Sequence, residues 1–69
     1  MRKRTLYLSE FLSRYDDKLE NRTIQIVHNS IILVTYNNWN ECINELKNTS
    51  YWDRQVIAWD IGVTVQILV

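Results

Sequence analysis

The stretch Q-V-I-A-W-D-I-G-V-T-V-Q-I-L-V, residues Gln55 to Val69, decides how this chain is read. Two runs rich in β-branched residues flank Asp60-Ile61-Gly62, and Gly62 is the only glycine in the protein. Strand-forming residues this close together around a glycine predict an antiparallel hairpin. A hairpin must bury one face, so the upstream chain is expected to supply its cover. The final run is apolar through Val69. It reads either as the protected centre of a sheet or as an exposed edge that pairs with another strand.

Upstream of the hairpin, Trp39, Cys42, Ile43 and Leu46 recur at i, i+3, i+4 and i+7, which predicts a helix with one apolar face. Asn38 followed by Glu41 resembles a capping box at its start, and the helix should end near Asn48. Residues 49–54 read as a loop. Before the helix come two strands, Arg22 to Val27 and Ile31 to Tyr36, joined by the two-residue connection Asn29-Ser30, where Asn tolerates positive φ. In the first strand Ile24 and Ile26 share one face and Thr23, Gln25 and Val27 the other. The second is apolar at nearly every position, as expected of a central strand covered on both faces. Near the N-terminus, Ser9 (or Thr5, a turn earlier) is the expected cap of a helix carrying Phe11, Leu12 and Tyr15, with Leu8 as a hydrophobic staple. The polar run 16–21 should then carry the chain out of that helix.

The resulting pattern is α-β-β-α-β-β. It predicts a single α+β domain over residues 1–69, with residues 1–4 a frayed basic terminus. The sheet should be four-stranded and mainly antiparallel, with both helices packed on one face. The two helix-plus-hairpin halves invite a reading as a repeat of architecture rather than of sequence. An uncovered sheet face would show Tyr36, Val27 or Trp59, more apolar than solvent normally meets, which points to a partner or to self-association.

Composition supports a folded chain and removes several functions. At 69 residues there is room for one domain, which buries about 60% of its unfolded surface. Hydrophobic residues make up 46%, with three Trp, four Tyr and no Pro, unlike a disordered sequence. Eight basic residues balance eight acidic ones, which argues against both a strongly basic nucleic-acid binder and an acidic mimic of DNA. The single cysteine, Cys42, excludes an intramolecular disulfide and fits a reducing compartment. No signal-peptide h-region follows the first four residues, and no apolar run approaches the ~18–20 residues that span a bilayer. A soluble cytoplasmic protein without membrane association is expected.

The inventory for catalysis is thin. A nucleophile, base and orienting group would have to come from Cys42, His28 and a carboxylate, yet Cys42 lies on an apolar helix face and His28 at a tight turn. One Cys and one His leave no zinc site. Asp16, Asp17 and Glu20 lack the glycine-bearing loop of a calcium site and read as a solvated helix end. No phosphate loop, cofactor or metal is expected, and the chain is read as non-enzymatic. Binding fits better. Tyr51, Trp52, Asp53 and Arg54 place two large aromatics beside an ion pair in one connection, and with Tyr36 they form the candidate partner-binding set; a core role competes for Trp52, which could fold over the end of the helix, and equally for Tyr36. The alternative is nucleic-acid binding, with Arg2, Lys3 and Arg4 contacting phosphates while Tyr36, Trp59 and Tyr7 stack bases. The other cations, Arg14, Lys18, Arg22, Lys47 and Arg54, are scattered among acids, which weighs against it. A third reading is a structural homo-oligomer joined through the sheet face or an edge strand.

The leading L-S-E-F-L-S-R-Y pattern (Leu8–Tyr15), the segment R-Q-V-I-A-W-D (Arg54–Asp60) and the closing T-V-Q-I-L-V strand resemble small uncharacterised proteins of phages and prophages of low-GC Gram-positive bacteria. The resemblance carries over no activity and no site residue. It implies an accessory protein of a mobile element, working in the bacterial host cytoplasm. Its partner would be a host or phage protein; in the most concrete version the chain inhibits a defence effector such as a CRISPR nuclease. The neutral net charge departs from the strongly acidic inhibitors that mimic DNA.

Overall fold

The structure, a computed structural model, describes residues 5–69. Arg2, Lys3 and Arg4, the expected phosphate contacts, lie outside the described residues. The helices are α1 (Leu8–Arg14), α2 (Asp16–Leu19) and α3 (Trp39–Leu46), and the strands are β1 (Thr23–His28), β2 (Ile31–Tyr36), β3 (Ala58–Ile61) and β4 (Thr64–Leu68). A single 3-10 turn, Ser50–Asp53, lies between α3 and β3. The chain is α+β, with a four-stranded sheet in the order β2-β1-β4-β3.

That sheet is mixed. β1 pairs with β2 and β3 with β4 antiparallel, but the two central strands, β1 and β4, run parallel from Thr23↔Thr64 to Val27↔Leu68. The expectation of a mainly antiparallel sheet is corrected accordingly. Periodicity assigns residues to faces but is blind to strand direction, so local pattern could not distinguish the two arrangements. The pairing also settles the last strand: β4 is internal, and its Val65 and Ile67 are fully buried. The strand expected at the centre, β2, is instead an edge, with Ile31, Ile32 and Leu33 exposed. The repeat reading fails in the sheet for a related reason. The first hairpin contributes its first strand to the centre and the second hairpin its last, so the two units do not occupy equivalent places.

One face of the sheet carries Ile24 and Ile26 of β1, Tyr36 and Val34 of β2, Val65 and Ile67 of β4, and Trp59 and Ile61 of β3, as the registers require. Leu8, Phe11, Leu12, Leu19, Cys42 and Leu46 from the helices join Ile24, Ile26, Tyr36, Val65 and Ile67 in one core, with Val34 and Ile61 packed against it. Fully burying a side chain of this kind contributes about 1.5–3 kcal/mol. Phe11, Tyr15 and Trp59 form a ring cluster, with centroids 4.9 Å apart for Phe11–Tyr15 and 5.1 Å for Phe11–Trp59. The Trp39 indole N–H donates to the Leu12 carbonyl at 2.9 Å, tying α3 to α1.

Local signals fared unevenly. At α3 the Asn38 side chain accepts from the Glu41 N–H at 2.9 Å, as expected, and the Glu41 carboxylate reaches back to the Asn37 N–H at 3.4 Å. At α1 the cap position is Tyr7, with no side-chain cap bond, so neither Ser9 nor Thr5 starts the helix. A tertiary contact does: Tyr7 bridges Gln55, the Leu8 N–H donates to Arg54, and the Val56 N–H donates to Leu6. The polar run after α1 forms a further turn, α2, because Leu19 is drawn fully into the core. In the second hairpin Asp60 and Ile61 belong to β3, and the reversal falls at Gly62-Val63. Arg22 holds that reversal by donating to the Gly62 carbonyl.

The Asn29-Ser30 connection is present as expected, with both residues at positive φ (51° and 65°). That combination matches a twisted two-residue hairpin turn, for which glycine is the favoured second residue. A left-handed serine costs roughly 1–2 kcal/mol, part of which glycine gives back in chain entropy. Ser30→Gly is therefore expected to stabilise the protein by roughly 0.5–1 kcal/mol, read as a higher urea midpoint with an unchanged slope; a lower midpoint would refute the turn geometry.

Candidate functional site

The face of the sheet opposite the core carries two contrasting rows. Following the registers across all four strands, one row is Ile32, Val27, Leu68 and Ala58. The next is Thr35, Gln25, Gln66 and Asp60. The first row is wholly apolar; the second is wholly polar, with the Gln66 amide donating to Gln25 at 3.0 Å. The apolar row owes its alignment to an irregularity. Between Ile26↔Val34 and Val27↔Ile32 the β2 register skips Leu33, a bulge that places Ile32, rather than its neighbour, opposite Val27. Val27 is only 8% exposed yet stands outside the main core, whereas Ile32 is 49% and Leu68 37% exposed. Ile31 and Ile57, also exposed, sit at the same end of the sheet.

The residues expected to bind a partner are not gathered there. Tyr51 and Trp52 are half-buried and packed against the core. Asp53 and Arg54 are exposed, but Arg54 lies over the Tyr51 ring at 5.5 Å from its centroid. Tyr36 takes the core alternative: it faces the core at 5% exposure, and burial followed by the nearby Cys42, Glu45 and Glu41 raises its phenol pKa. Of the residues expected on an uncovered face, Val27 alone lies on the face opposite the core. Trp59 is on the core face, partly open at the β3 edge, and with Tyr7 it remains 44% exposed. Sequence reasoning missed Ile32 and Leu68. Alternation of β4 hinted at Leu68, but the place of Ile32 depends on a bulge with no sequence mark.

The remaining chemistry-bearing groups are committed locally. The His28 ring donates from Nδ1 to the Val69 carbonyl at 2.7 Å, and Nε2 faces the Asn29 amide at 3.3 Å, so both nitrogens hold the turn against the end of the chain. Asp16, Asp17 and Glu20 line a hollow of about 220 Å³ with Trp39 and Asn40. Among the described residues no group of three or more His, Cys, Asp or Glu side chains is placed to hold a metal ion. Another cleft, about 420 Å³, lies beside β3 and is lined by Leu6, Arg14, Ile57 and Trp59 among others. No helix of the described residues is long and apolar enough to cross a membrane. Comparison with protein-family models, curated proteins and solved structures finds no match. Fold and surface therefore define the class on their own: a small α+β domain with an apolar row on one sheet face.

Burial pushes the Cys42 thiol up to about 12 from its ordinary 9.0, with smaller contributions from Glu41 and Glu45. The thiolate is the reactive form, so the folded protein should resist alkylation at pH 8 and react once unfolded. The raised value also fixes a sign. The thiol favours the folded state fully below pH 9.0 and loses that contribution as pH rises toward about 12. Stability measured across that window should fall less steeply in Cys42→Val than in the parent; an equal slope would refute the assignment.

Proposed function

We propose that this chain is a non-enzymatic protein-interaction module that binds through the apolar end of its second sheet face. The observation that carries the reading is the row Ile32–Val27–Leu68–Ala58 across all four strands, outside the core and bordered by a polar row. An apolar centre with a polar border is the anatomy of protein interfaces. Neutral net charge supports contact through apolar surface rather than through phosphate neutralisation. On the sequence resemblance, the partner is a host or phage protein in a bacterial cytoplasm, and inhibition of a defence effector is the most concrete form of the proposal. Tyr51 to Arg54 form a second patch in this reading, with Arg54 and Asp53 as its accessible groups.

The test is capture from a bacterial host lysate with the parent and two single-site variants. Leu68→Glu puts a charge in the row, and Val63→Glu puts the same charge at an apolar side chain 91% accessible in the turn between β3 and β4. A genuine partner should be lost with Leu68→Glu and kept with Val63→Glu, both folded by circular dichroism. Retention of the partner by Leu68→Glu would place the binding surface elsewhere.

A further inference from the structure

We propose that β2 is a self-association strand: its free edge pairs antiparallel with β2 of a second copy about a two-fold axis at Ile32, joining two four-stranded sheets into one. The inference rests on reading the apolar row as an interaction surface, and it adds the identity of one partner, the chain itself.

The two edges of the sheet are built differently. β3 is four residues long, carries Asp60, and is preceded by Gln55 and Val56, which already pair with Tyr7 and Leu6. Shortness, a charge and a covering segment are the usual protections of an edge strand. β2 is six residues, I-I-L-V-T-Y, without a charge, proline or glycine. It carries a bulge at Leu33. Alternate backbone N–H and C=O groups along such an edge point outward without a strand to receive them. Uncharged, β-prone six-residue segments are those that pair with their own copies. Three of the exposed large apolar side chains, Ile31, Ile32 and Leu33 (63%, 49% and 38%), are consecutive on this strand.

Charge selects a second copy as the occupant. In a two-fold antiparallel pair each strand meets itself, so any charge near the axis would face its own like. β2 has none between Ile31 and Tyr36, and self-pairing carries no repulsion. Continuity points the same way. The apolar row ends at Ile32 on the sheet edge, and pairing Ile32 with Ile32 of the second copy extends the row from one sheet into the next. A single apolar band then crosses both copies, roughly doubling the surface offered to any further partner.

Purified full-length protein tests this without any lysate. Sedimentation equilibrium from micromolar to submillimolar concentration should show a monomer–dimer equilibrium. Ile32→Lys, which sets two like charges across the axis, should weaken it roughly tenfold or more. Residues directly opposed in an antiparallel pair have Cα atoms about 4.5–5.5 Å apart, within disulfide range. Ile32→Cys should therefore cross-link on mild oxidation much faster than Val63→Cys, and buried Cys42 offers no competing thiol. Should Ile32→Lys fail to fold, Leu33→Lys, on the bulged residue without a β1 partner, places a charge against Ile31 of the second copy and should also weaken the dimer. A parent protein that stays monomeric, a dimer unchanged in the lysine variant, or Ile32→Cys cross-linking no faster than the Val63 control would each overturn the proposal. A monomer that still captures a Leu68-dependent partner would defeat self-pairing alone; a dimer that captures nothing would defeat the wider interaction reading alone.

Discussion

Everything in this fold depends on the parallel pairing of β1 with β4. The two strands are distant in sequence, with Gln25 and Gln66 separated by 41 residues. Their ladder places Ile24 and Ile26 beside Val65 and Ile67, and these four side chains are fully buried. Joining the ends costs loop-closure entropy, but that cost grows only slowly with loop length. Four buried aliphatic side chains, each contributing about 1.5–3 kcal/mol, outweigh it. Once the centre is set, each hairpin partner has one place left: β2 goes to one edge and β3 to the other. The chain leaving β2 must then cross to the opposite edge, which is the task of α3 and the 3-10 turn.

The same pairing divides the apolar residues into two populations. Those on one face share one core cluster with helix residues, aided by the Trp39–Leu12 hydrogen bond and the Phe11–Tyr15–Trp59 ring cluster. Val27, Ile32, Leu68 and Ala58, in one row on the other face, lie outside that core. A chain of this size has little apolar area to spare for a core. An apolar row placed outside it forgoes part of the available stability, which is the physical ground of the proposal that it binds a partner. The bulge at Leu33 adds to the case, because it brings Ile32 into line with Val27 and Leu68. Bulges at sheet edges commonly re-aim a side chain in this way.

Aromatic residues alone were a poor guide to the surface. Residue type left Tyr36 and Trp52 open between interface and core; Tyr36 is core, and Tyr51 and Trp52 are half-buried against it. In a small domain large aromatics are the most effective way to fill space, each burying roughly 150–250 Å². Aliphatic residues at a sheet edge, less conspicuous in the sequence, are the ones left exposed.

What the sequence determined by itself was local. The 3.6-residue period and the Asn38–Glu41 box specified α3, alternation specified which residues of β1 and β4 share a face, and Asn29-Ser30 specified the first turn. Each signal arises from neighbours within a few residues, where side-chain pattern and backbone geometry are directly linked. Only the tertiary structure decided that the last strand, Thr64–Leu68, is central and parallel to β1, that β2 is the edge, and that α1 begins at Leu8 rather than after Ser9. Those choices are made by backbone hydrogen bonds between distant segments, which any residue except proline can form and which therefore leave no mark in the sequence. The closing run that reads either as a protected centre or as an open edge is the centre, and the open edge is β2.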